Sequence, residues 1–172
     1  VLFRSSKKIK IIAAKIKPNG ELDYNDLLEK INSKTKLLAI THMSNVTGSI
    51  TNFDNIKTKA KKFNVPILID GCQYVPHKKL DLQDLDPDFY VFSAHKLYGP
   101  SGLGILYMKS KWIDTLGPYQ GGGSMIKNVD TDLSTYLNGF QKFEAGTPPI
   151  AEVIGLSASL DFINQVDIKK IY

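Results

Sequence analysis

The sequence predicts an α/β fold in which a mostly parallel sheet carries helices on both faces and one strand runs against the others. Three observations predict it. Strand-like and helix-like segments alternate from residue 9 to residue 70. The strands are almost continuously apolar, as strands covered on both faces are. The last two strands are separated by ten residues, too few for a crossover helix, so they are expected to pair antiparallel.

Taken in order, "IKIIAAKI" at 9–16 reads as a strand, and "KPNGEL" after it as a turn on Pro18, Asn19 and Gly20. Asp23 is placed to cap a short helix with Leu27, Leu28 and Ile31 on one face. "TKLLAIT" at 35–41 is the next strand, followed by a polar loop through Gly48 and a helix over 52–63. "PILID" then runs apolar until Asp70, and "FYVFS" at 89–93 and "GILYM" at 104–108 complete the sheet. Beyond Lys109 the pattern predicts a short helix, the loop "YQGGGSMI" and an irregular stretch to Gly146. "PPIAEVIGLSASLDFI" reads as a helix with prolines in its first turn.

The chain has 172 residues, 42% hydrophobic and 23% charged, the balance of one globular domain with a sizeable core. No apolar run approaches the roughly 18 residues a membrane helix needs, and no cleavable signal opens the chain. A soluble protein without a membrane partner is expected, in the cytoplasm or in an organelle. One cysteine, Cys72, excludes an internal disulfide framework and fits a reducing compartment. Three histidines without zinc spacing leave no metal site to predict. The net charge of +5 comes partly from Arg4, Lys7, Lys8 and Lys10 and partly from Lys57, Lys59, Lys61 and Lys62. The second group falls on a predicted helix without aromatic residues interleaved for base stacking, so it reads as a solvated face and not as a nucleic-acid patch.

Ligands of open parallel sheets bind beyond the carboxyl ends of the strands, and the loops carrying Asn45, Asp70 and Lys96 all follow strand ends. Gln73 lies three residues past Asp70, and Ser93 and His95 lie immediately upstream of Lys96. Pyridoxal 5'-phosphate needs an amine for a Schiff base, an anion on its ring nitrogen, and donors on its phenolic oxygen and phosphate. The chain offers a candidate for each. Lys96 is the amine and the base that moves an α-proton, and Asp70 the anion. Gln73 and Asn45 are candidate donors to the phenolic oxygen, Ser93 and His95 to the phosphate. Each also has a plainer reading: Asp70 as a cap or turn residue, Lys96 as a solvated charge, the others as loop hydrogen-bonders. Their co-occurrence favours the site. His42 and His77 are left outside it, His42 as a residue that bonds loop backbone. Cys72, beside a buried strand, reads as a small core residue. Neither "GPSGLG" nor "GGG" makes a dinucleotide fingerprint, and no triphosphate-binding loop is present.

The segments "HMSNVTG", "DGCQYVPH", "DFYVFSAHKLYGPSGLGILY", "GGGSMI" and "FEAGTPPIAEVIGL" closely resemble, in the same order, the pyridoxal phosphate enzymes of aminotransferase class V. Within that class they are most similar to group II cysteine desulfurases of the SufS type. The resemblance implies the large domain of a fold type I enzyme, with Lys96 as the Schiff-base lysine, Asp70 on the pyridine nitrogen and Gln73 on the phenolic oxygen. It places Asn45 near the ring and Ser93 with His95 on the phosphate. Thr147, in "AGTPP", is implied to reach the phosphate of a partner subunit's cofactor, which makes a homodimer the expected assembly. Position 72 is commonly alanine in such motifs, which argues against Cys72 as a persulfide carrier.

The same resemblance implies that these residues are the central part of a large domain in proteins of roughly 400 residues. A segment before it and a small domain after it are expected to be absent here, with the sulfur-accepting cysteine and the arginine for the substrate carboxylate. The implied activity converts L-cysteine to L-alanine and leaves a persulfide for a sulfur-acceptor protein and iron-sulfur cluster assembly, with selenocysteine lyase activity common to the group. The 172 residues alone are expected to be inactive. Another class V enzyme, an aminotransferase or a kynureninase-like hydrolase, is the second reading, and a non-catalytic module of the same fold the third.

Overall fold

The computed structural model describes residues 9–168. Four strands form one sheet in the order β1-β2-β3-β4, with β1 at Leu38–Thr41, β2 at Ile67–Asp70, β3 at Phe89–Ser93 and β4 at Gly104–Met108. β1, β2 and β3 are parallel, in the register Thr41 to Asp70 to Val91. β4 pairs antiparallel with β3 from Phe89–Met108 to Ser93–Gly104, the reversal the ten-residue connection predicts.

Helices supply the second layer. α1, Tyr24–Lys30, begins where Asp23 accepts a hydrogen bond from the Asp26 N–H, the expected cap. α2, Asp54–Lys62, buries Ile56 and Ala60 and carries Lys59, Lys61 and Lys62 in its last turn, where the helix dipole favours cations. α3, Leu82–Leu85, is a single turn capped by Asp81 and ended by Asp86 in the left-handed conformation; the sequence pattern missed it. α4 is Ser110–Thr115 and α5 is Ile150–Val166, with Pro149 at the cap position and not inside the first turn. Leu27, Ile31, Phe53, Ile56, Val65, Ile67, Ile69, Tyr90 and Ile163 form the core between these layers. Each fully buried isoleucine contributes about 2 to 3 kcal/mol of apolar transfer.

Two expectations are corrected. Residues 9–15 adopt no regular structure, and only Ile16 pairs, in a single bridge to Leu22. A strand needs a neighbour for its ladder, and this segment instead spends its polar groups on α1: the Lys15 N–H donates to Asp26 Oδ2, and Lys30 Nζ donates to the Ala13 carbonyl. Its apolar periodicity is left exposed at Ile9, Ile11 and Ile12. The stretch to Gly146 is also not wholly irregular, because β5, Ile126–Val129, and β6, Ser134–Tyr136, form an antiparallel hairpin. Of the basic start, Arg4, Lys7 and Lys8 lie outside the described residues, and Lys10 is exposed. No helix among the described residues is long and apolar enough to cross a membrane.

Candidate active site at the carboxyl edge of the sheet

The parallel register brings three loops out at one edge. β1 ends at Thr41, β2 at Asp70 opposite it, and β3 runs two residues past Val91 to Ser93. Asp70 is half-buried, and its Oδ1 accepts the Cys72 N–H at 2.9 Å, so the strand end closes into a side-chain turn. The plainer reading of Asp70 as a turn residue is seen directly: one oxygen shapes the turn, while Oδ2 makes no hydrogen bond among the described residues. Gln73 is half-buried in the same turn, which continues as the Tyr74 N–H donates to the Gly71 carbonyl at 2.9 Å.

β3 hands over to a 3-10 turn, Ala94–Lys96, which breaks the strand at once because Leu97 N–H and Gly99 N–H both donate to the Ala94 carbonyl. Lys96 is half-buried there, without an ion-pair or hydrogen-bond partner among the described residues; His95 is exposed. Cys72 Sγ lies 3.8 Å from Ser93 Oγ, so the loop after β2 and the end of β3 touch directly. Asp70, Gln73, Ser93, His95 and Lys96 thus stand at the ends of two neighbouring strands and in the loops that follow them.

Asn45 is exposed on the loop after β1, whose shape comes from Ser44: its Oγ accepts the Val46 and Thr47 N–H groups, and its carbonyl accepts the Gly48 N–H. Thr147 is exposed before α5, and no hydrogen bond joins it to Lys96 among the described residues. Its loop is tied instead to the glycine-rich one, because the Gly146 N–H donates to the Gly123 carbonyl at 2.8 Å. α5 itself braces the loop after Lys96: Ser159 Oγ donates to the Tyr98 carbonyl at 3.0 Å.

Sequence reasoning left His42 out, and it did not single out Tyr74 or Tyr90. His42 does bond backbone, its N–H donating to the Asp70 carbonyl at 2.7 Å. Its ring, however, is buried against Tyr90, with Nδ1 and the phenol oxygen 3.0 Å apart, and lies flat on Tyr74 with 3.4 Å between centroids. Burial pushes the imidazole down to about 4, so it is neutral. Burial first, then the charges of Tyr74, Asp70 and Cys72, push the Tyr90 phenol well above its ordinary value. The available signal was Tyr90 itself: a tyrosine at the centre of an apolar strand needs a buried partner for its hydroxyl.

Comparisons with known proteins give this edge its context. The family model for aminotransferase class-V matches residues 2–172. A cysteine desulfurase of Wigglesworthia glossinidia brevipalpis is 42% identical over 172 residues, covering 99% of this chain and 42% of the relative. The crystal structure of the cysteine desulfurase CsdA from Escherichia coli superposes with a TM-score of 0.92 at 38% identity, over 98% of this chain and 42% of that one. A variant of C-DES with glycine covalently linked to its pyridoxal phosphate cofactor superposes at 0.72 with 26% identity, over 82% of this chain and 38% of that one. The chain thus spans about two fifths of the length of the curated relatives it matches. With a family model matched along essentially its whole length and the fold of those neighbours, the chain belongs to the aminotransferase class-V family.

Proposed function

We propose that these residues are the central part of the large, cofactor-binding domain of a pyridoxal 5'-phosphate-dependent cysteine desulfurase. The whole protein would convert L-cysteine and an enzyme thiol to L-alanine and an enzyme persulfide, the sulfur then passing to an acceptor protein for iron-sulfur cluster assembly. The observation that carries the reading is that a half-buried carboxylate and a serine hydroxyl end two neighbouring parallel strands, with a half-buried lysine in the turn that follows the second. The identity to cysteine desulfurases supports it.

The donor set fits the cofactor. Asp70 keeps Oδ2 for a protonated ring nitrogen while the Cys72 N–H holds Oδ1 in place. Ser93 and His95 offer donors to a phosphate, and Gln73 and Asn45 to the phenolic oxygen. Bound pyridoxal phosphate supplies an electron sink conjugated to the substrate's α-carbon. Lys96 is the residue that would hold the group through Nζ and would take and return the substrate's α-proton at that atom. Asp70 would hold the ring N–H through Oδ2. The thiol that attacks the substrate sulfur and the group that holds its carboxylate are assigned to the part of such a protein that this chain, about two fifths of its relatives' length, does not cover.

Thr147 is assigned to a phosphate across a homodimer interface; its exposure, and the bond from Gly146 to Gly123 that fixes its loop, support this. A cytoplasmic location is in keeping with a single unpaired cysteine. The test is direct. The whole protein supplied with pyridoxal phosphate is expected to turn yellow, to lose the colour on borohydride treatment and to release alanine from cysteine. Lys96→Ala is expected to abolish all three. No alanine from the unaltered protein, or a bleachable colour that survives Lys96→Ala, refutes the assignment.

A further inference from the structure

We propose that His42, Tyr74 and Tyr90 are positioning residues, a ring cluster beneath the 70–74 turn that holds Asp70 and Gln73 at the angle the cofactor ring requires. The proposal rests on the pyridoxal phosphate reading above.

The turn is gripped from below at several points. Tyr90 is fully buried, and its ring lies so close under Gly71 that a Cβ there would fall 2.1 Å from the phenol oxygen and 2.2 Å from Cζ and Cε1. The phenol edge is therefore the surface on which the backbone following Asp70 rests. His42 holds the phenol in place through Nδ1 at 3.0 Å, and holds the strand end through its own N–H on the Asp70 carbonyl at 2.7 Å. The far end of the turn is clamped by Tyr74, whose ring stacks on His42 with an interplanar angle of 5° and whose N–H closes onto the Gly71 carbonyl.

A core built only for packing has no need of this polar contact. The hydroxyl and the imidazole are desolvated together and satisfy one another, and no buried side-chain polar atom among the described residues lacks a partner. The imidazole is neutral at physiological pH, so the cluster fixes Asp70 without placing a competing cation below it. Among the described residues, Tyr74, Asp70 and Cys72 act on the Tyr90 phenol, and His42 is paired with it. Displacing a reacting group by about 1 Å costs up to about a hundredfold in rate, so a support of this kind has catalytic leverage.

The test compares variants that change the hydrogen bond and spare the rings. In the whole protein loaded with pyridoxal phosphate, Tyr90→Phe removes only the hydroxyl, and His42→Phe keeps a ring on Tyr74 while removing the polar partner. Each is expected to shift the midpoint of the pH titration of the visible band by about half a unit or more and to lower kcat roughly tenfold, with KM held within about twofold. Because both act through one bond, the double variant is expected to be no worse than the worse single. Ile56→Val, a fully buried change on α2, provides a control that lowers stability without moving the titration. Variants that leave the titration and kcat unchanged, or move them no further than the control, overturn the positioning role. If one variant fails to fold, the other decides. A colourless unaltered protein overturns the cofactor reading and this proposal with it, whereas a normal band that the variants do not disturb overturns this proposal alone.

Discussion

Gly71→Ala is the substitution whose consequence the structure specifies most closely. The added Cβ meets three atoms of the Tyr90 ring at 2.1 to 2.2 Å. Non-bonded carbons rest at about 3.5 to 4.0 Å, so the overlap is more than about 1 Å at each contact. Tyr90 cannot swing away, because it is fully buried and its oxygen is held by His42. The backbone cannot lift freely either, since the Gly71 N–H donates to the Val91 carbonyl at 2.8 Å. Gly71 does not have a left-handed φ, so no conformational strain adds to the clash and the effect is purely one of volume. Overpacking of this kind costs about 1 to 3 kcal/mol, and the rigidity on both sides puts the expected loss near about 3 kcal/mol. Urea denaturation of the whole protein, followed by tyrosine and tryptophan fluorescence, measures it. Gly123→Ala, where the added Cβ meets nothing within 4 Å and φ is again not left-handed, is the control and is expected to stay within about 0.5 kcal/mol. Combining Gly71→Ala with Tyr90→Ala relieves the clash, so the pair is expected to be less destabilised than the sum of the singles by at least about 1 kcal/mol. A Gly71→Ala protein as stable as its parent, or strict additivity with Tyr90→Ala, refutes the packing described for this turn.

Asp88 is a second point of control. It is buried, and its carboxylate accepts the Ile67 N–H at 3.0 Å, Trp112 Nε1 at 2.8 Å and Lys111 Nζ at 2.7 Å. Burial pushes this carboxyl up, but those hydrogen bonds and the Lys111 charge outweigh it and hold it below the usual range. Asp88→Ala strands a buried N–H and an indole donor and is expected to cost about 3 kcal/mol in urea denaturation; a loss under about 1 kcal/mol would contradict the network. His42 makes stability depend on acid. Its folded value is pushed down to about 4 from 6.5, so the unfolded chain binds a proton that the folded chain refuses between those values. Stability is full above about pH 6.5 and is lost as pH falls toward 4, by up to about 3 kcal/mol. Denaturation series at both ends of that window, in the parent and in His42→Phe, are expected to differ by this slope, and equal slopes would exclude a buried neutral imidazole. Asp70→Asn is expected to lower alanine formation by orders of magnitude while most of the cofactor stays bound, because a neutral amide cannot keep the ring nitrogen protonated. Unchanged turnover removes Asp70 from the site.

What could be read from the sequence follows from the range of the interactions involved. "PILID" and "FYVFS" read correctly because a strand covered on both faces must be apolar at nearly every position, a local requirement on composition. β4 was legible from chain length alone, since ten residues cannot carry a crossover. The segment at 9–16 has the same apolar character, yet a ladder requires a neighbour, and nothing within the segment says whether one is there. The β5 and β6 hairpin escaped for the opposite reason: "STY" is short and polar, and the turn through Asp130 and Asp132 lacks the Asn-Gly or Asp-Gly signal.

The candidate site divides along the same line. Asp70, Ser93 and Lys96 stand at or just beyond strand ends, where the rule for parallel sheets places ligands, so their nearness required only that β2 and β3 be neighbours. The support beneath them required more. His42 and Tyr90 are 48 residues apart, and the contact exists because β1, which His42 directly follows, and β3, which carries Tyr90, both pair with β2. Read singly, one was a loop histidine and the other a strand aromatic. The register of three strands turns them into a hydrogen-bonded pair under Gly71, and only there does the absence of a side chain at residue 71 acquire a cause. Groups that touch a ligand are thus constrained by where strands end, whereas groups that hold those residues in place are constrained by which strands pair, and the second kind of information enters only with the fold.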